Sequence, residues 1–367
     1  MPLFLAPLFL IQIAVAPTVQ TKITLEEVIE NVRRNERLYR DVEVVMTSTY
    51  GIGDRKPGRD SVVVGRQLRT RYVSQGEWFR LEMEGTERDS KQTISRDRIR
   101  AFDGQMTRVL EQNVVGNISS GRVEDENFIR PHMFAIRHTR LPTSFSEYLS
   151  GHEAIQANPN AHWDQNLAMQ VTYLGEDELE GLKCHKVHVN VVLKSGAVEP
   201  HDGRTFWLAE ERNYLPVKAL AYTYRFSKEI PVAQSVVNDL REIEPGVWFP
   251  FDVTHTSYNK FAIQREGRQK LQWERRYVVE RVKANPKYDR EFFSIVEFPD
   301  GTAMYDVKDG KITRSWRQGA PEATGGPAAA EGFQRWWILW ANLAVVLLVA
   351  AIVIIRKMTV TGGTVKQ

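Results

Sequence analysis

Residues 336–355 constrain this 367-residue chain more than any other stretch. They read Trp-Trp-Ile-Leu-Trp-Ala-Asn-Leu-Ala-Val-Val-Leu-Leu-Val-Ala-Ala-Ile-Val-Ile-Ile, with no charge and only Asn342 plainly polar. About 20 apolar residues at the helical rise match the roughly 30 Å hydrocarbon core of a bilayer. A buried core helix of that length would normally carry a polar stripe, and none is present. Arg356 and Lys357 follow at once, while Trp336, Trp337 and Trp340 crowd the other end. Trp favours the interface and Lys/Arg the cytoplasmic side. The segment therefore reads as a single transmembrane helix. The large part before it is extracytoplasmic (periplasmic in a bacterium), and the tail of residues 356–367 is cytoplasmic.

The chain start agrees with export. Pro2 to Ala16 is apolar except for Gln12 and ends in Ala14-Val15-Ala16. That pattern resembles a secretory signal peptide, placed at residues 1–20, although no Lys or Arg opens it and Pro17 follows it. Cleavage and retention both stay open. Some 49 basic and 46 acidic side chains leave a formal net charge of only +3, which argues against a dedicated nucleic-acid binder. The single cysteine, Cys184, excludes an internal disulfide, so the fold rests on core burial.

Between these segments, residues 21–317 read as one β-rich domain. Thr24 and Glu27 have capping-box spacing, and Leu25, Val28, Ile29 and Val32 mark one buried face of a helix ending near Leu38. Strands are expected at 41–50, 61–73, 77–83, 98–102 and 105–111, with Asp103-Gly104 as a two-residue hairpin turn. Residues 51–60 read as a turn, 123–142 as irregular, 143–149 as a short helix capped by Thr143 or Ser144, and 156–164 as a loop. The second half alternates more clearly. Strands are expected from Leu167 through Tyr173, then from His185 to Leu193 after an acidic turn at 175–181. Further strands are expected at 204–208, 215–226, 234–243, 248–258 and 269–282, with 292–298 and 304–307 closing the domain. Such alternation marks an antiparallel sheet with one face buried. Residues 318–335 are rich in Gly, Pro and Ala and read as a flexible linker, with a reach of roughly 20–25 Å.

Three stretches resemble the LolA-like family of lipoprotein carriers: Tyr173-Leu-Gly-Glu-Asp-Glu-Leu-Glu-Gly-Leu-Lys-Cys-His-Lys-Val, Phe206-Trp-Leu-Ala-Glu-Glu-Arg-Asn-Tyr-Leu-Pro-Val-Lys and Phe298-Pro-Asp-Gly-Thr-Ala-Met-Tyr-Asp. The resemblance covers about residues 24–312. It implies an α+β fold in which a curved antiparallel sheet, a half-barrel, packs on helices, here with one added C-terminal transmembrane helix. It also implies a lipid or acyl-chain ligand. The membrane span and the longer body depart from the soluble carriers and place free shuttling in doubt. No lipid-binding residue of the family can be matched position by position.

Motifs for catalysis are sparse. Cys184, His185 and His188 invite a thiol or metal reading, but side chains alternate along a strand, so His185 and His188 face opposite ways and Cys184 points away from His185. Glu176, Asp177, Glu178 and Glu180 lack calcium-loop spacing. No Gly-x-Ser-x-Gly elbow or phosphate loop occurs. Arg69 and Arg71 share a strand face that Arg66 does not, a solvated surface or a contact for anionic headgroups. Asn117-Ile118-Ser119 fits a glycosylation acceptor pattern. No catalytic residue, metal or cofactor is expected. Two readings survive. One is a tethered binder of lipid or acyl chains without enzymatic activity. The other is an envelope sensor that engages a protein partner. For the first, Met169, Val171, Tyr173, Val187, Val189, Val191, Phe206 and Leu208 fall on the apolar sides of neighbouring strands. They either fill a core or line a hydrophobic cavity plugged by the Leu25–Val32 helix.

Overall fold

The computed structural model describes residues 23–53, 62–88, 92–121, 130–136, 144–151, 167–193, 200–308 and 310–320. The signal-peptide-like start, most of the linker, the apolar segment at 336–355 and the tail after it lie outside the described residues. So do residues 54–60 of the turn expected at 51–60, whose residues 51–53 are strand instead, and the loop at 156–164. No helix among the described residues is long and apolar enough to cross a membrane.

Helix α1 (Leu25–Glu36) opens on the capping box that Thr24 and Glu27 form, and Val28 and Val32 are its buried face. A 3-10 turn, Arg37–Tyr39, leads into a first meander of strands. These are β1 (Val42–Gly53), β2 (Val62–Gln75), β3 (Trp78–Arg88), the short β4 (Thr93–Ser95), β5 (Arg98–Phe102), β6 (Met106–Glu111) and β7 (Val115–Ser120). A 3-10 turn at Pro131–Ile136 and helix α2 (Phe145–Leu149, capped by Ser144) follow. The second meander is β8 (Leu167–Leu179), β9 (Leu182–Leu193), β10 (Asp202–Ala209), β11 (Leu215–Thr223), β12 (Ala233–Glu244), β13 (Val247–Tyr258) and β14 (Leu271–Ala284). Helix α3 (Lys260–Glu266) sits between β13 and β14. Helix α4 (Arg290–Ser294), β15 (Ala303–Lys308) and β16 (Lys311–Arg317) complete the domain.

All the strands join one 16-stranded, curved and mostly antiparallel sheet. Its order is β16-β15-β7-β6-β5-β3-β2-β1-β14-β13-β12-β11-β10-β9-β8, with β4 attached to β3. The two meanders meet at a central seam, where β1 and β14 pair antiparallel from Val42↔Ala284 to Ile52↔Trp273. Among the described residues the one parallel pair attaches β15 to β7.

Helices α1 and α2 lie on one face of the sheet, the inner face, whereas α4 lies against the other, its Phe292 ring beneath the Arg71 and Arg80 guanidiniums. On the inner face α1 and α2 pack on β9 and β10, burying Phe145, Tyr148 and Leu149 with Val187, Val189, Phe206 and Leu208. Nearer the seam, Phe134 of the 3-10 turn meets Phe249 and Tyr277 edge-on, at ring distances of 5.9 Å each. Tyr72, Phe79, Leu81 and Phe102 continue that core onto the first meander. Each such side chain contributes about 1.5–3 kcal/mol of burial, which lets the sheet stand without a disulfide.

Several local expectations are corrected. The β5–β6 hairpin forms, but Asp103 pairs with Met106, so Gly104-Gln105 are the central turn residues. The Asp103 carboxylate accepts from the backbone of Gln105 and Met106, which shifts the turn by one residue. The acidic stretch at 175–181 is mostly strand. β8 runs to Leu179, and the turn is Glu180-Gly181, both at positive φ as a tight hairpin requires. Residues 292–298 do not form a strand. Residues 290–294 are helix α4 instead, and Tyr288 just ahead of it stacks on Phe292 at 4.4 Å. Strands β4, β7 and β16 and helix α3 lie outside the elements expected from sequence.

Candidate functional site

The eight expected cavity residues do share one face. Register pairs Met169 with Val191, Val171 with Val189 and Tyr173 with Val187, and pairs Phe206 and Leu208 with Val187 and His185. Val187, Val189, Phe206 and Leu208 are fully buried beneath α1 and α2. Met169, Val171, Tyr173 and Val191 are half-buried. Polar ties hold the two helices there. Asn31 donates to the Tyr214 hydroxyl at 3.1 Å, and Asn213 donates to Asn35 at 3.1 Å. The Glu36 carboxylate accepts from the backbone of Phe145 and Ser146 and from the Ser146 hydroxyl, so the end of α1 closes the start of α2.

A second stretch of the inner face, at the seam, has less cover from the described residues. It lies beyond the aromatic core along β3, β2, β1 and β14. Met83, Leu68, Tyr50 and Trp273 are half-buried there. Ile52 and Val63, opposite each other at the rim, are 50% and 63% exposed. Tyr50 and Trp273 lie 5.9 Å apart. Arg66 and Arg275 join them, each paired in register with Tyr50 and each with its guanidinium over the Tyr50 ring, at 5.5 and 5.4 Å. Burial, and then the like charge of Arg66, push the Arg275 guanidinium below its ordinary value.

Nothing in the local sequence points to Arg275. Trp273, Arg275 and Tyr277 alternate as any strand does, and only the register of a strand some 220 residues away shows what faces them. The expected separation of Arg66 from Arg69 and Arg71 is present. Arg69 pairs with Glu280 at 3.1 Å and Arg71 with Glu43 at 3.0 Å, both on the outer face.

The histidines and the cysteine sit in structural settings. Cys184 is fully buried with Trp207, Ala209 and Val217, and burial pushes its thiol up to about 11. His185, also buried, stacks on Tyr214 at 5.3 Å and takes a Tyr173 hydroxyl contact of 3.0 Å at Nδ1. Its Nε2 is 3.3 Å from Glu210 without the geometry of a hydrogen bond. Burial pushes the His185 ring down, while Lys183, 2.9 Å away, holds Glu210 below the usual carboxylate range. The result is a neutral imidazole beside an ionised carboxylate. His188 lies on the opposite face, bonded to Thr205, Asn190 and Tyr224. Glu176 pairs with Lys183, and Asp177 accepts from the Trp207 indole. Among the described residues no group of three or more His, Cys, Asp or Glu is placed to hold a metal ion.

No protein-family model matches the chain, and no curated protein matches it. Among solved structures it is similar to a DUF1329 family protein from Desulfovibrio piger, at 13% identity and a TM-score of 0.40, over 73% of this chain and 96% of that one. It is also similar to a domain from Vibrio parahaemolyticus assigned to outer membrane lipoprotein sorting, at 9% identity and a TM-score of 0.38, over 74% and 97% of the two chains. The Mycobacterium tuberculosis lipoprotein LppX is matched at 10% identity and a TM-score of 0.23, over 72% and 98%. The lipoprotein-sorting type that the sequence resembles is thus among the structural neighbours, and at these scores the likeness extends to the general sheet plan alone.

Proposed function

We propose that this domain binds a hydrophobic ligand, a lipid or a lipoprotein acyl chain, on the inner face of its sheet, without catalysis. The observation that carries this reading is the apolar stretch at the seam, where Met83, Leu68, Tyr50, Trp273, Ile52 and Val63 remain half-buried or exposed. Contiguous apolar surface that a domain leaves open is the usual form of a lipid or partner site. The Val187–Phe206 region beneath α1 is a second part of the same face, and displacement of α1 would extend the site onto it. The apolar segment at 336–355 would hold the domain within reach of an extracytoplasmic membrane surface. Neutral buried His185 and the raised Cys184 thiol favour binding over chemistry.

Mass spectrometry of organic extracts from the detergent-purified full chain tests this. A co-purified lipid near one equivalent is expected. An extract no different from a detergent blank, with no uptake of a fluorescent fatty acid, would remove the reading. A protein partner is the second reading, and β16 favours it. That strand is largely exposed, pairs with β15 alone among the described residues, and so offers a free edge for strand addition.

A further inference from the structure

The strands at the seam treat their arginines in two ways. On the outer face Arg69, Arg71, Arg276 and Arg281 each meet a carboxylate, from Glu280, Glu43, Asp252 and Glu43 in turn. On the inner face Arg275 meets none among the described residues. Its Nη1 contacts the Tyr277 hydroxyl at 3.2 Å, and its Nε is buried without a hydrogen-bond partner. The second inner arginine, Arg66, lies 3.8 Å from Glu87, but Glu87 is already bonded to Arg96 at 2.7 Å.

We propose that Arg275 and Arg66 together hold the oxyanion head, a carboxylate or phosphate, of an amphiphile whose apolar part lies on the neighbouring inner face. The proposal rests on the hydrophobic-ligand reading and adds the ligand's charge to it. Tyr50 draws both cations to its ring, but a ring carries no net charge and cannot neutralise two guanidiniums. Two like charges gathered around one half-buried ring repel each other. An oxyanion between them converts that repulsion into charge-assisted hydrogen bonds, and the planar guanidinium fork fits carboxylate and phosphate equally. Burial leaves Arg275 few water molecules to take the anion's place, so its Nε is set for a bound acceptor. The apolar neighbours, Trp273 against Tyr50 and Leu68 and Met83 further along the same face, suit the chain of such a ligand.

The test uses the full chain in a neutral detergent at pH about 8, where a carboxylate is ionised. A fluorescent fatty acid and its methyl ester are titrated, with inorganic phosphate as competitor. The acid should bind about tenfold more tightly than the ester, as one charge-assisted contact supplies. Arg275→Gln and Arg66→Gln should each bring the acid down to the ester's affinity and leave the ester unchanged, which also reports that the variants are folded. Arg275→Lys should keep part of the preference. Equal affinity for acid and ester in the parent overturns the anionic head while the hydrophobic reading stands. Binding of neither probe overturns both. Phosphate that raises the parent's melting temperature, but not that of Arg275→Gln, while neither probe binds would make the pair a free-anion site and sink the lipid source. Loss of acid and ester alike in both Arg275→Gln and Arg275→Lys would assign Arg275 a purely structural role.

Discussion

Two ionisable groups on the seam strands, Glu43 and Arg275, are withdrawn from water and treated differently. Glu43 on β1 is 3% exposed and faces outward. Burial alone would push its carboxyl up. The Tyr288 hydroxyl at 2.8 Å, with Arg71 and Arg281 each at 3.0 Å, more than offsets that and holds it below the usual range. Arg275 on β14 faces inward, with burial and a like charge both acting against it and no acid among the described residues to answer. The chain has acids to spare at the seam, since its outer arginines are served. One face of the seam is finished by the chain itself, whereas on the other the described residues leave a charge unanswered beside half-buried and exposed apolar side chains.

That contrast can be broken at four points. The largest effect belongs to the covered inner face. Phe206→Ala should lose about 3–5 kcal/mol, because Phe145 and Tyr148 pack edge-on against it and leave a cavity when it goes. A loss under about 1 kcal/mol in denaturant unfolding would mean that α1 and α2 are loosely seated. Next, Glu43→Ala should cost about 3 kcal/mol, the low end for a broken buried pair because Arg71 and Arg281 can turn to solvent. Glu43→Gln, which still accepts from Tyr288, should lose less in the same measurement.

The third point is pH. A carboxyl whose folded value is lowered contributes stability that is complete above its unfolded value, about 4.3, and is lost as pH falls through the folded value. The parent should therefore lose melting temperature on acidification below pH about 4, and Glu43→Gln should lose less over the same window. Parallel curves would show that Glu43 is not the group responsible. Smallest is Met83→Gln on the open stretch, expected to shift stability by under about 1 kcal/mol because the new amide can reach water. A loss as large as that of Phe206→Ala would show the stretch to be closed core.

What the sequence disclosed was local. Thr24 with Glu27 announced α1, Thr143 or Ser144 as a cap announced α2, and the alternation through Val187, Val189 and Val191 announced β9, because caps and period-two patterns are written in adjacent residues. Turn positions were legible less well: the one at Asp103-Gly104 moves by one residue, and the one at 175–181 shrinks to Glu180-Gly181. Asp103 bonding forward and Glu180 at positive φ moved them, both side-chain and backbone choices outside any period. Residues 292–298 looked like strand because consecutive Phe residues carry no period of their own, and the structure ends a short helix there instead. The register puts the eight residues proposed as a cavity on one face, and sequence could not say which of them helices would cover. Arg66 was singled out with its face, and its counterpart Arg275 was not, since nothing local in β14 refers to β1.

The seam has a consequence in time. A chain synthesised from its N-terminus presents β1 early, yet the strand that must lie beside β1 is the last of the second meander. Until residues 271–284 arrive, the first meander carries an unclosed edge at β1, and closing so long an intervening loop is slow. The arginines around Tyr50 come from both sides of that join, so the place proposed for the ligand's head does not exist in a half-delivered chain. Such a chain has no anion to attract, and its bare strand is exposed to wrong pairings throughout the wait.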